Sequence, residues 1–521
     1  MEQVHMRASR FGAVAAAFVC LGCWTLAQTG GNPKAIREPA VAGQFYPSDA
    51  ARLKQALQDY LKDALPPKPN RPLALVVPHA GYVYSAQIAA DAFRQASGHR
   101  YDVVVILGAN HSAAGFNRIS VYSGAGYRTP LGVAETDRGV ADALVKEDPD
   151  CVFDQATQAQ EHSIEVQIPF VQHLFPGVKI VPVLVGTDEP AVCVRLGRAL
   201  AKVLKDRQPL ILASSDLSHY PSAKDAPGVD RRTLESIASL SPETFLTATN
   251  AEMARGVSEL ATTACGAAPI MAAMAAASGL GATRGIVISY ANSSDVAVGD
   301  TTRVVGYGTV AFTAGEHGRD TSVLEKMTPP ASSSDPLNAA DKKALLALAR
   351  DTLRRYLSTE TLPLVRGFSP RAERVQGAFV TLKKRGELRG CIGQIIGTAP
   401  LSRVVSMMAI EAALNDTRFD KVRASELDSL EIEISALTPP KAVPSANAIV
   451  VGRDGVILQK GSQSAVFLPQ VATEQGWDRD EMLDNLCQKG GMPSGCWRSG
   501  AKLLTFQADV FSERQVKDKK Q

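Results

Sequence analysis

The sequence is poor in three features that would mark a function at once: net charge, paired cysteines and long apolar runs. A formal net charge of +3 over 521 residues gives no basis for a nucleic-acid groove or a polybasic membrane patch. The eight cysteines are scattered, and outside Cys20 and Cys23 none form a C-x-x-C pair. Neither a zinc finger nor a dense disulfide framework is therefore indicated. The composition is that of an ordinary globular protein, and the length predicts two or three domains.

The N-terminal segment differs from the rest of the chain. Arg7 and Arg10 precede a short apolar run over residues 11–27 that ends in a plausible cleavage site. The run is short and alanine-rich compared with the roughly 20 strongly apolar residues of a transmembrane helix. Leu21-Gly22-Cys23 resembles part of a lipobox. We expect residues 1–27 to be a signal peptide or a lipoprotein-type leader, which would place the protein in the periplasm or anchor it as a lipoprotein. The alternative is a cytoplasmic protein with an unstructured start and no membrane contact.

Residues 36–313 alternate short apolar strands with helical stretches. The predicted strands are Leu73–Pro78, Asp102–Gly108, Lys179–Val185, Leu210–Ser214, Gly285–Tyr290 and Arg303–Phe312. The predicted helices are Asp49–Ala64, Ser85–Ala96, Asp137–Lys146, Ser163–Leu174, Ala191–Leu204 and Cys265–Ala277. Short runs of valine, isoleucine and leucine separated by helices are typical of an α/β sheet covered on both faces. We therefore predict an α/β first domain with a central, mostly parallel sheet.

A polar stretch at residues 314–338 is interpreted as an interdomain linker. The second unit spans residues 339–513 and begins with a predicted amphipathic helix, and a charged, frayed tail is expected at 514–521. The helix is Ala339–Tyr356, and the antiparallel strand candidates are Gly377–Lys383, Glu431–Leu437, Val450–Leu458, Ala465–Leu468 and Leu503–Val510. The turn-like tetrapeptide Lys384-Arg385-Gly386-Glu387 predicts a hairpin. The second domain is therefore predicted to be a smaller α+β fold.

Three predicted strands are each followed by a side chain that can bind metal or move protons. His79 follows the strand LALVVP, His111 follows DVVVILG, and Asp216 and His219 follow LILAS. Ligands of open α/β sheets bind at the carboxyl edge of the strands, so these side chains can converge although they lie far apart in sequence. The chain holds only eight histidines. Three of them at such positions favour a functional site over three isolated loop residues.

Two further residues are candidates for the same site. Cys265 lies just before an alanine-rich helix, where the helix dipole favours the thiolate, although a cysteine there can also be a small core residue. His162, at a predicted helix start, belongs either to the edge of the site or only to the helix cap. Imidazole and thiolate ligands suit zinc, iron or copper rather than magnesium or calcium. With two histidines and one cysteine as ligands, His219 or Asp216 would remain as an acid/base or supporting group.

Seven stretches of the first domain resemble, in order, the motifs of the Memo family: VAGQFYP, PHAGYVYSAQIAADAF, ILGANHS, YRTPLG, EHSIEVQIPF, SSDLSHY and TTACG. That family shares its fold with class III extradiol dioxygenases, which use non-haem iron. The resemblance implies that His79, His111 and Cys265 line a metal-binding cleft, with Asp216 and His219 beside them. The cysteine stands where those dioxygenases have the carboxylate of a two-histidine facial triad. This difference argues against ring cleavage and for copper, iron or zinc in redox or binding chemistry.

The second domain resembles the AMMECR family. Its stretches LRGCIG, NDTRFDKV, EIEISALTPP and LPQVATEQGWDRDEMLDNLCQKGGMP are similar to that family's motifs. The family has an α+β fold and no established reaction. The resemblance implies Arg389, Cys391, Asp416 and Arg418 as candidate surface residues. The remaining cysteines of this domain, Cys487 and Cys496, are expected to be structural.

A Memo-like domain fused to an AMMECR-like domain resembles components B and A of the AmmeMemoRadiSam system, which implies a radical SAM protein as partner. This chain cannot be that partner, because it lacks a C-x-x-x-C-x-x-C cluster motif. A radical enzyme is expected in a reducing cytoplasm, whereas the leader predicts export, so the two expectations conflict.

Three functions remain open, and the sequence does not decide whether the protein is an enzyme. The leading hypothesis is a metal-dependent, redox or oxygenase-like protein that acts in the first-domain cleft with iron, copper or zinc. The second is a non-catalytic scaffold whose cleft captures a peptide or protein. The third is a cysteine hydrolase that uses Cys265 with His219.

Overall fold

The computed structural model describes residues 32–68, 70–327 and 335–518. The predicted leader at residues 1–27 lies outside these ranges. Within them, no helix combines the length and apolar character needed to cross a membrane. The described chain forms two domains in sequence order.

The strands of the first domain are β1 (Ile36–Arg37), β2 (Pro72–Val77), β3 (Val103–Ala109), β4 (Ile119–Val121), β5 (Gly126–Thr129), β6 (Gly132–Glu135), β7 (Cys151–Phe153), β8 (Lys179–Val185), β9 (Pro209–Ser214), β10 (Arg284–Asn292), β11 (Gly306–Thr313) and β12 (Gly318–Asp320). Nine of these strands form one large sheet with the order β12-β10-β11-β2-β9-β3-β8-β4-β7. Strands β2, β9, β3 and β8 at the centre are parallel, whereas β11 pairs antiparallel with β2 and with β10. The short β1, β5 and β6 form a separate three-stranded sheet.

Helices cover both faces of the large sheet. They are α1 (Ala50–Lys62), α2 (Tyr82–Ala96), α3 (Arg138–Glu147), α4 (His162–Glu165), α5 (Ile168–Leu174), α6 (Pro190–Val203), α7 (Ala226–Ile237), α8 (Pro242–Ala254) and α9 (Ala267–Gly279). The residues of β3 are all buried, and successive ones enter opposite core layers: Val105 packs with α3, α6, α7 and α9, while Val104 packs with α1, α2 and α5. A strand buried on both faces has no polar face to alternate with, which is why its sequence is a continuous apolar run. The predicted α/β class is confirmed.

The second domain contains two four-stranded antiparallel sheets with helices. Its strands are β13 (Ala378–Lys384), β14 (Glu387–Gln394), β15 (Leu430–Leu437), β16 (Lys441–Ala442), β17 (Gly455–Lys460), β18 (Gln463–Phe467), β19 (Lys502–Phe506) and β20 (Ala508–Ser512), and its helices are α10 (Ala339–Thr359), α11 (Leu401–Leu414), α12 (Pro469–Gln475), α13 (Arg479–Lys489) and α14 (Glu513–Asp518). The hairpin between β13 and β14 turns through Arg385 and Gly386, both with positive φ, as a two-residue turn requires. A disulfide joins Cys487 to Cys496. The smaller α+β domain is confirmed.

Several predicted elements need correction. The helix predicted at 163–174 is two short helices, α4 and α5, with Pro169 in the first turn of the second. The strand predicted at 503–510 is two strands, β19 and β20, which belong to different sheets.

Two predicted boundaries also shift. Residues 318–327, expected in the linker, add strand β12 beside β10 and a 3-10 helix whose Leu324 is buried in the first-domain core. The chain is also helical up to Asp518, beyond the start of the expected frayed tail. The Glu513 carboxylate at the start of α14 accepts hydrogen bonds from Arg350 and from the Ile432 amide, which fixes this helix on the second domain.

Ion pairs connect the two domains. Helix α10 lies against α1, and Arg354 of α10 contacts the carboxylate of Asp59 at 2.9 Å. Arg366 makes a two-pronged contact with Asp91 of α2, with N···O distances of 2.6 and 3.1 Å. Leu364 packs against a small cluster that also includes Ala80, the residue after His79. The second domain therefore touches helix α2, which begins three residues after the candidate ligand His79.

Candidate metal centre

The parallel topology gathers the candidate residues at one edge of the large sheet. His79 and Asp216 follow the adjacent strands β2 and β9, and His111 follows β3, which pairs with β9 on its other side. His162 is the first residue of α4, and Cys265 lies two residues before α9. Residues separated by up to 186 positions are thereby brought into contact.

The side chains approach one another closely. The ring centroids of His79 and His111 are 5.0 Å apart, and those of His111 and His162 are 4.7 Å apart. The Sγ atom of Cys265 lies 3.2 Å from Nε2 of His79. One ligand atom from each of His79, His111 and Cys265 falls within 4.8 Å of the others, so that these three residues can share one metal ion.

Two overlapping groups meet the same distance criterion. Asp216, His219 and Cys265 form one, and His111, Glu161 and His162 form the other. His162, expected at the edge of the site or in a helix cap, therefore lies beside the histidine pair. Asp216 and His219 lie next to the thiol, as the motif resemblance implies.

The hydrogen bonds of His79 fix the proton on its ring. Nδ1 of His79 lies 3.1 Å from Oγ of Ser214. That hydroxyl donates its own proton to the Ser163 carbonyl and also accepts from the amide of Gln167, so that it acts as an acceptor toward the ring. Nδ1 therefore carries the proton, and Nε2, which faces Cys265, is left with a free lone pair.

His111 is held in the same way by a buried carboxylate. Its Nδ1 lies 3.0 Å from Oε1 of Glu161, and its backbone amide donates to Oε2 of the same residue. Burial alone would raise the pKa of Glu161, but hydrogen bonds from His111 and from the Ser163 amide lower it to about 2. Glu161 is thus ionised and fixes the tautomer and orientation of the His111 ring, as carboxylates do for histidines that bind metals.

Glu161 was missed by sequence analysis as a site residue. It stands next to His162 in the motif EHSIEVQIPF and caps α4, because its carboxylate accepts from the Ser163 amide. Its bond to His111 joins residues 50 positions apart. A capping residue directly before a candidate histidine was the available signal.

Asp216 and His219 frame the thiol side of the cluster. Oδ1 of Asp216 accepts from the His79 amide at 2.7 Å, and burial raises the pKa of this carboxyl to about 6. Nδ1 of His219 donates to the Leu217 carbonyl at 2.9 Å, which again leaves Nε2 free. An acid that titrates near neutral pH lies here beside a free imidazole nitrogen.

The thiol is not activated by its surroundings alone. Burial raises the pKa of Cys265 and lowers the pKa of His79, so that the proton stays on sulfur when no cation is near. Helix α9 starts at Ala267, and burial outweighs the helix dipole that the sequence suggested would favour thiolate. The nitrogen 3.2 Å from the sulfur belongs to His79 and not to His219, which argues against a Cys265–His219 hydrolase.

The donor set itself fits a transition-metal ion. Two imidazole nitrogens with free lone pairs and one sulfur are ligands that zinc, iron and copper accept, whereas magnesium and calcium prefer oxygen. A bound cation would also stabilise the Cys265 thiolate that burial otherwise disfavours.

The second-domain candidates form a separate cluster on β14 and the segment after α11. Asp416 accepts a hydrogen bond from the Cys391 amide at 2.8 Å and pairs with Arg418 at 2.7 Å. This ion pair holds the pKa of Asp416 well below its usual range. Arg389 is paired with Glu426 at 3.0 Å. Three of the four candidate residues are therefore engaged in ion pairs, and Cys391 contributes a half-buried thiol.

Fold and site together define a protein with an α/β first domain, a smaller α+β second domain, and a candidate metal centre at the carboxyl edge of the large first-domain sheet. Comparison with known families adds an independent finding. The family described as Memo-like protein matches residues 37–311, and the family described as AMMECR1 matches residues 346–511. The chain belongs to the Memo-like protein family and carries a fused AMMECR1 domain, as the motifs predicted.

Two relatives that bear the MEMO1 family name agree with this assignment. A MEMO1 family protein of Aquifex aeolicus is 38% identical over 273 residues, which cover 52% of this chain and 97% of the relative. A MEMO1 family protein of Nitrosopumilus maritimus is 33% identical over 283 residues, covering 53% of this chain and 99% of the relative. Among solved structures, an uncharacterized protein from Pyrococcus horikoshii is 36% identical, covering 34% of this chain and 93% of its own, with a TM-score of 0.33.

Proposed function

We propose that the first domain binds one transition-metal ion through Nε2 of His79, Nε2 of His111 and Sγ of Cys265, and that it acts as a redox or oxygenase-like protein. The observation that carries the proposal is the convergence of the two rings on the Cys265 sulfur. Each Nδ1 contacts a fixed acceptor, and one nitrogen of each ring lies within 4.8 Å of the other ring's nitrogen and of Sγ of Cys265. Histidines that are only structural need no such convergence.

Iron, copper and zinc all accept a ligand set of imidazole and thiolate; iron or copper is the proposed ion because either can change oxidation state in a redox role, and zinc is the alternative. When bound, the metal would supply Lewis acidity and, for iron or copper, electron transfer. The protein itself supplies a proton site beside the cluster, since Asp216 can hold a proton near neutral pH. Nε2 of His219 can accept one. These two residues are the candidates for acid/base work.

Metal analysis of the full chain tests this proposal. Protein loaded anaerobically with iron or copper should retain one ion per chain, and His79→Ala or Cys265→Ser should lose it. Cys193→Ser is the matched control, because Cys193 is a free, buried cysteine on α6, outside the candidate groups. A thiolate-to-metal charge-transfer band should also disappear in Cys265→Ser alone among the cysteine variants. Wild-type protein without stoichiometric metal, or Cys265→Ser with full metal, would contradict the proposal.

We further propose that the protein works in an AmmeMemoRadiSam-type system with a radical SAM partner. Its support is the fusion of the two domain families in one chain. Co-purification of the tagged chain with a radical SAM protein from its native cells tests this. If the chain elutes alone under anaerobic conditions, this part of the proposal is wrong.

We infer an oxidising location from the leader and from the Cys487–Cys496 disulfide, since such bonds persist mainly outside the cytoplasm. Cell fractionation combined with thiol labelling tests the location. Protein found in the cytoplasm with both thiols reduced would exclude export.

A further inference from the structure

A cavity of about 630 Å³ lies between the two domains, and none of its lining residues belongs to the candidate metal centre. One wall is the first-domain loop at residues 297–301, and the other is formed by strand β14 and helix α11 of the second domain. Its volume is in the range of small-molecule sites, which occur preferentially at domain interfaces. Neither domain forms this cavity alone.

The walls are largely apolar. Ile392, Met407, Met408 and Ile410 line the second-domain side, and Ala297 faces them from the first domain. Methionine side chains adapt to irregular ligands because they are unbranched and polarisable. Such walls favour a ligand with an apolar body.

One buried charge faces this cavity. Arg403 of α11 lines it and is 7% exposed. Its Nη2 donates to the Gly299 carbonyl, whereas its Nε has no hydrogen-bond partner. Asp295 and Asp300 act on it only at longer range, and burial lowers the pKa of this guanidinium. A buried cation without a contacting anion is costly, and a ligand carboxylate would offset that cost.

The other polar groups of the cavity limit the charge of the ligand. Asp300 and Glu411 also line it, and each already accepts a hydrogen bond, from Thr302 and Asn415 respectively. One guanidinium and two carboxylates give the lining a net charge of −1, so a negative group of the ligand is favoured only where it lies directly against Arg403. Di- and triphosphates are disfavoured, because their further charges would be repelled by the two carboxylates.

We propose that this cavity binds a small amphipathic monocarboxylate, with the carboxylate on Arg403 and the apolar chain along Met407 and Met408. The site is independent of the metal ion proposed for the first domain. The ligand is recognised only when both domains are docked, because Gly299 and Ala297 complete the wall around the arginine.

Isothermal titration of the full chain with decanoate is the direct test. We expect one site, no binding of decanol or decyl phosphate, and about a tenfold or greater loss of affinity in Arg403→Gln. Arg385→Gln, at the exposed hairpin turn, is the matched control and should bind as wild type. Met407→Trp keeps the arginine but fills the cavity and should also abolish binding.

The melting curve of each variant shows whether it is folded. Folded Met407→Trp that binds decanoate normally would overturn the proposal, as would wild-type protein that binds none. Equal binding of decanol and decanoate would also overturn it, since that would assign no role to Arg403.

Discussion

At the residue scale, a single buried carboxylate organises the histidine side of the candidate metal centre. Glu161 accepts from the ring and the amide of His111, lies 3.4 Å from Nδ1 of His162, and caps α4 through Ser163. These contacts tie the orientation of one candidate ligand to the start of the helix that carries another.

Replacing this carboxylate should weaken metal binding without unfolding the protein. Glu161→Gln keeps the size of the side chain but removes the charge that fixes the His111 tautomer, so we expect metal affinity to fall by about 10- to 100-fold. Competition with a chromophoric chelator measures this. Glu147→Gln, at an exposed position on α3, is the control and should retain wild-type affinity. Unchanged affinity in Glu161→Gln would show that the contact is only structural.

A second buried carboxylate makes the stability of the first domain depend on pH. Asp230 accepts from the Ser218 amide at 2.9 Å and from the Tyr290 hydroxyl at 2.8 Å, and burial raises its pKa from 3.8 to about 7. Between these values the folded chain binds more protons than the unfolded chain. The free energy of unfolding should therefore fall as pH rises from about 4 to 7, by at most about 1.4 kcal/mol per pH unit from this group.

Denaturant unfolding at pH 5, 6, 7 and 8 tests this expectation. Asp230→Asn cannot ionise, so the variant should lose this part of the slope and gain stability relative to wild type as pH rises. If the free energy of unfolding changed with pH in the same way for wild type and Asp230→Asn, the raised pKa of Asp230 would be contradicted.

At the element scale, the glycines of LRGCIG serve packing between a strand and a helix. A Cβ atom on Gly390 would lie 2.2 Å from the Ala412 carbonyl oxygen of α11, which is backbone and cannot move aside. A Cβ on Gly393 would lie 2.2 Å from the ring of Phe379. The motif thus brings β14 close to its neighbours, in addition to any chemistry of Cys391.

Gly390→Ala should destabilise the second domain by about 1–3 kcal/mol, because the overlap forces α11 away from the sheet. Thermal unfolding measures the effect. Gln394→Ala on the same strand is the control, since its side chain is only partly buried, and it should change stability by less than about 1 kcal/mol. Equal stability of both variants would mean that α11 has room to shift.

Some helices and strands can be predicted from the sequence, and others cannot. Long apolar runs such as β3 and β8 were predicted within a residue or two, because a strand buried on both faces has a continuous apolar sequence. The three- and four-residue strands β4 to β7 were missed, since segments that short carry no periodicity and depend on their partners. Helices α7 and α8 were also missed. Leu324 was assigned to a linker because its polar neighbours conceal one buried contact.

The candidate site was predictable for a topological reason. His79, His111 and Asp216 each lie just after the end of a strand. Parallel strands place their carboxyl ends at the same edge of a sheet, so the positions of these residues in the sequence were enough to predict that they lie close together. Ser214, which holds the His79 ring, could not be predicted, and for Glu161, which holds the His111 ring, the only signal was its place directly before His162. Their role depends on distances between residues far apart in the chain.

At the scale of the whole molecule, charged contacts hold the two domains together. Asp91 is fully buried on α2 and receives both prongs of the Arg366 guanidinium, whose side chain is 32% exposed. Arg52 and Glu360 also connect the domains, but their side chains are 51% and 70% exposed. Because the Arg366–Asp91 pair is the more buried of the two, its loss is expected to destabilise the contact between the domains more than loss of the Arg52–Glu360 pair.

Removing the buried pair should loosen the domains. Arg366→Ala leaves the Asp91 charge without its ion-pair partner. We expect the free energy of unfolding to fall by about 1–3 kcal/mol, and the unfolding transitions of the two domains to separate in calorimetry. Arg52→Ala is the matched control, with an expected loss of about 0–1 kcal/mol. A single unchanged transition in Arg366→Ala would show that apolar contacts such as those of Leu364 suffice.

Leu364 contacts the first-domain surface beside His79, and it belongs to the same chain as that surface. The connecting segment gives the second domain an effective local concentration on the order of millimolar at that surface. Contacts too weak to hold two separate proteins together can therefore keep these domains docked. Docking then becomes independent of dilution, and the two domains are present in a fixed ratio of one to one wherever the protein is made.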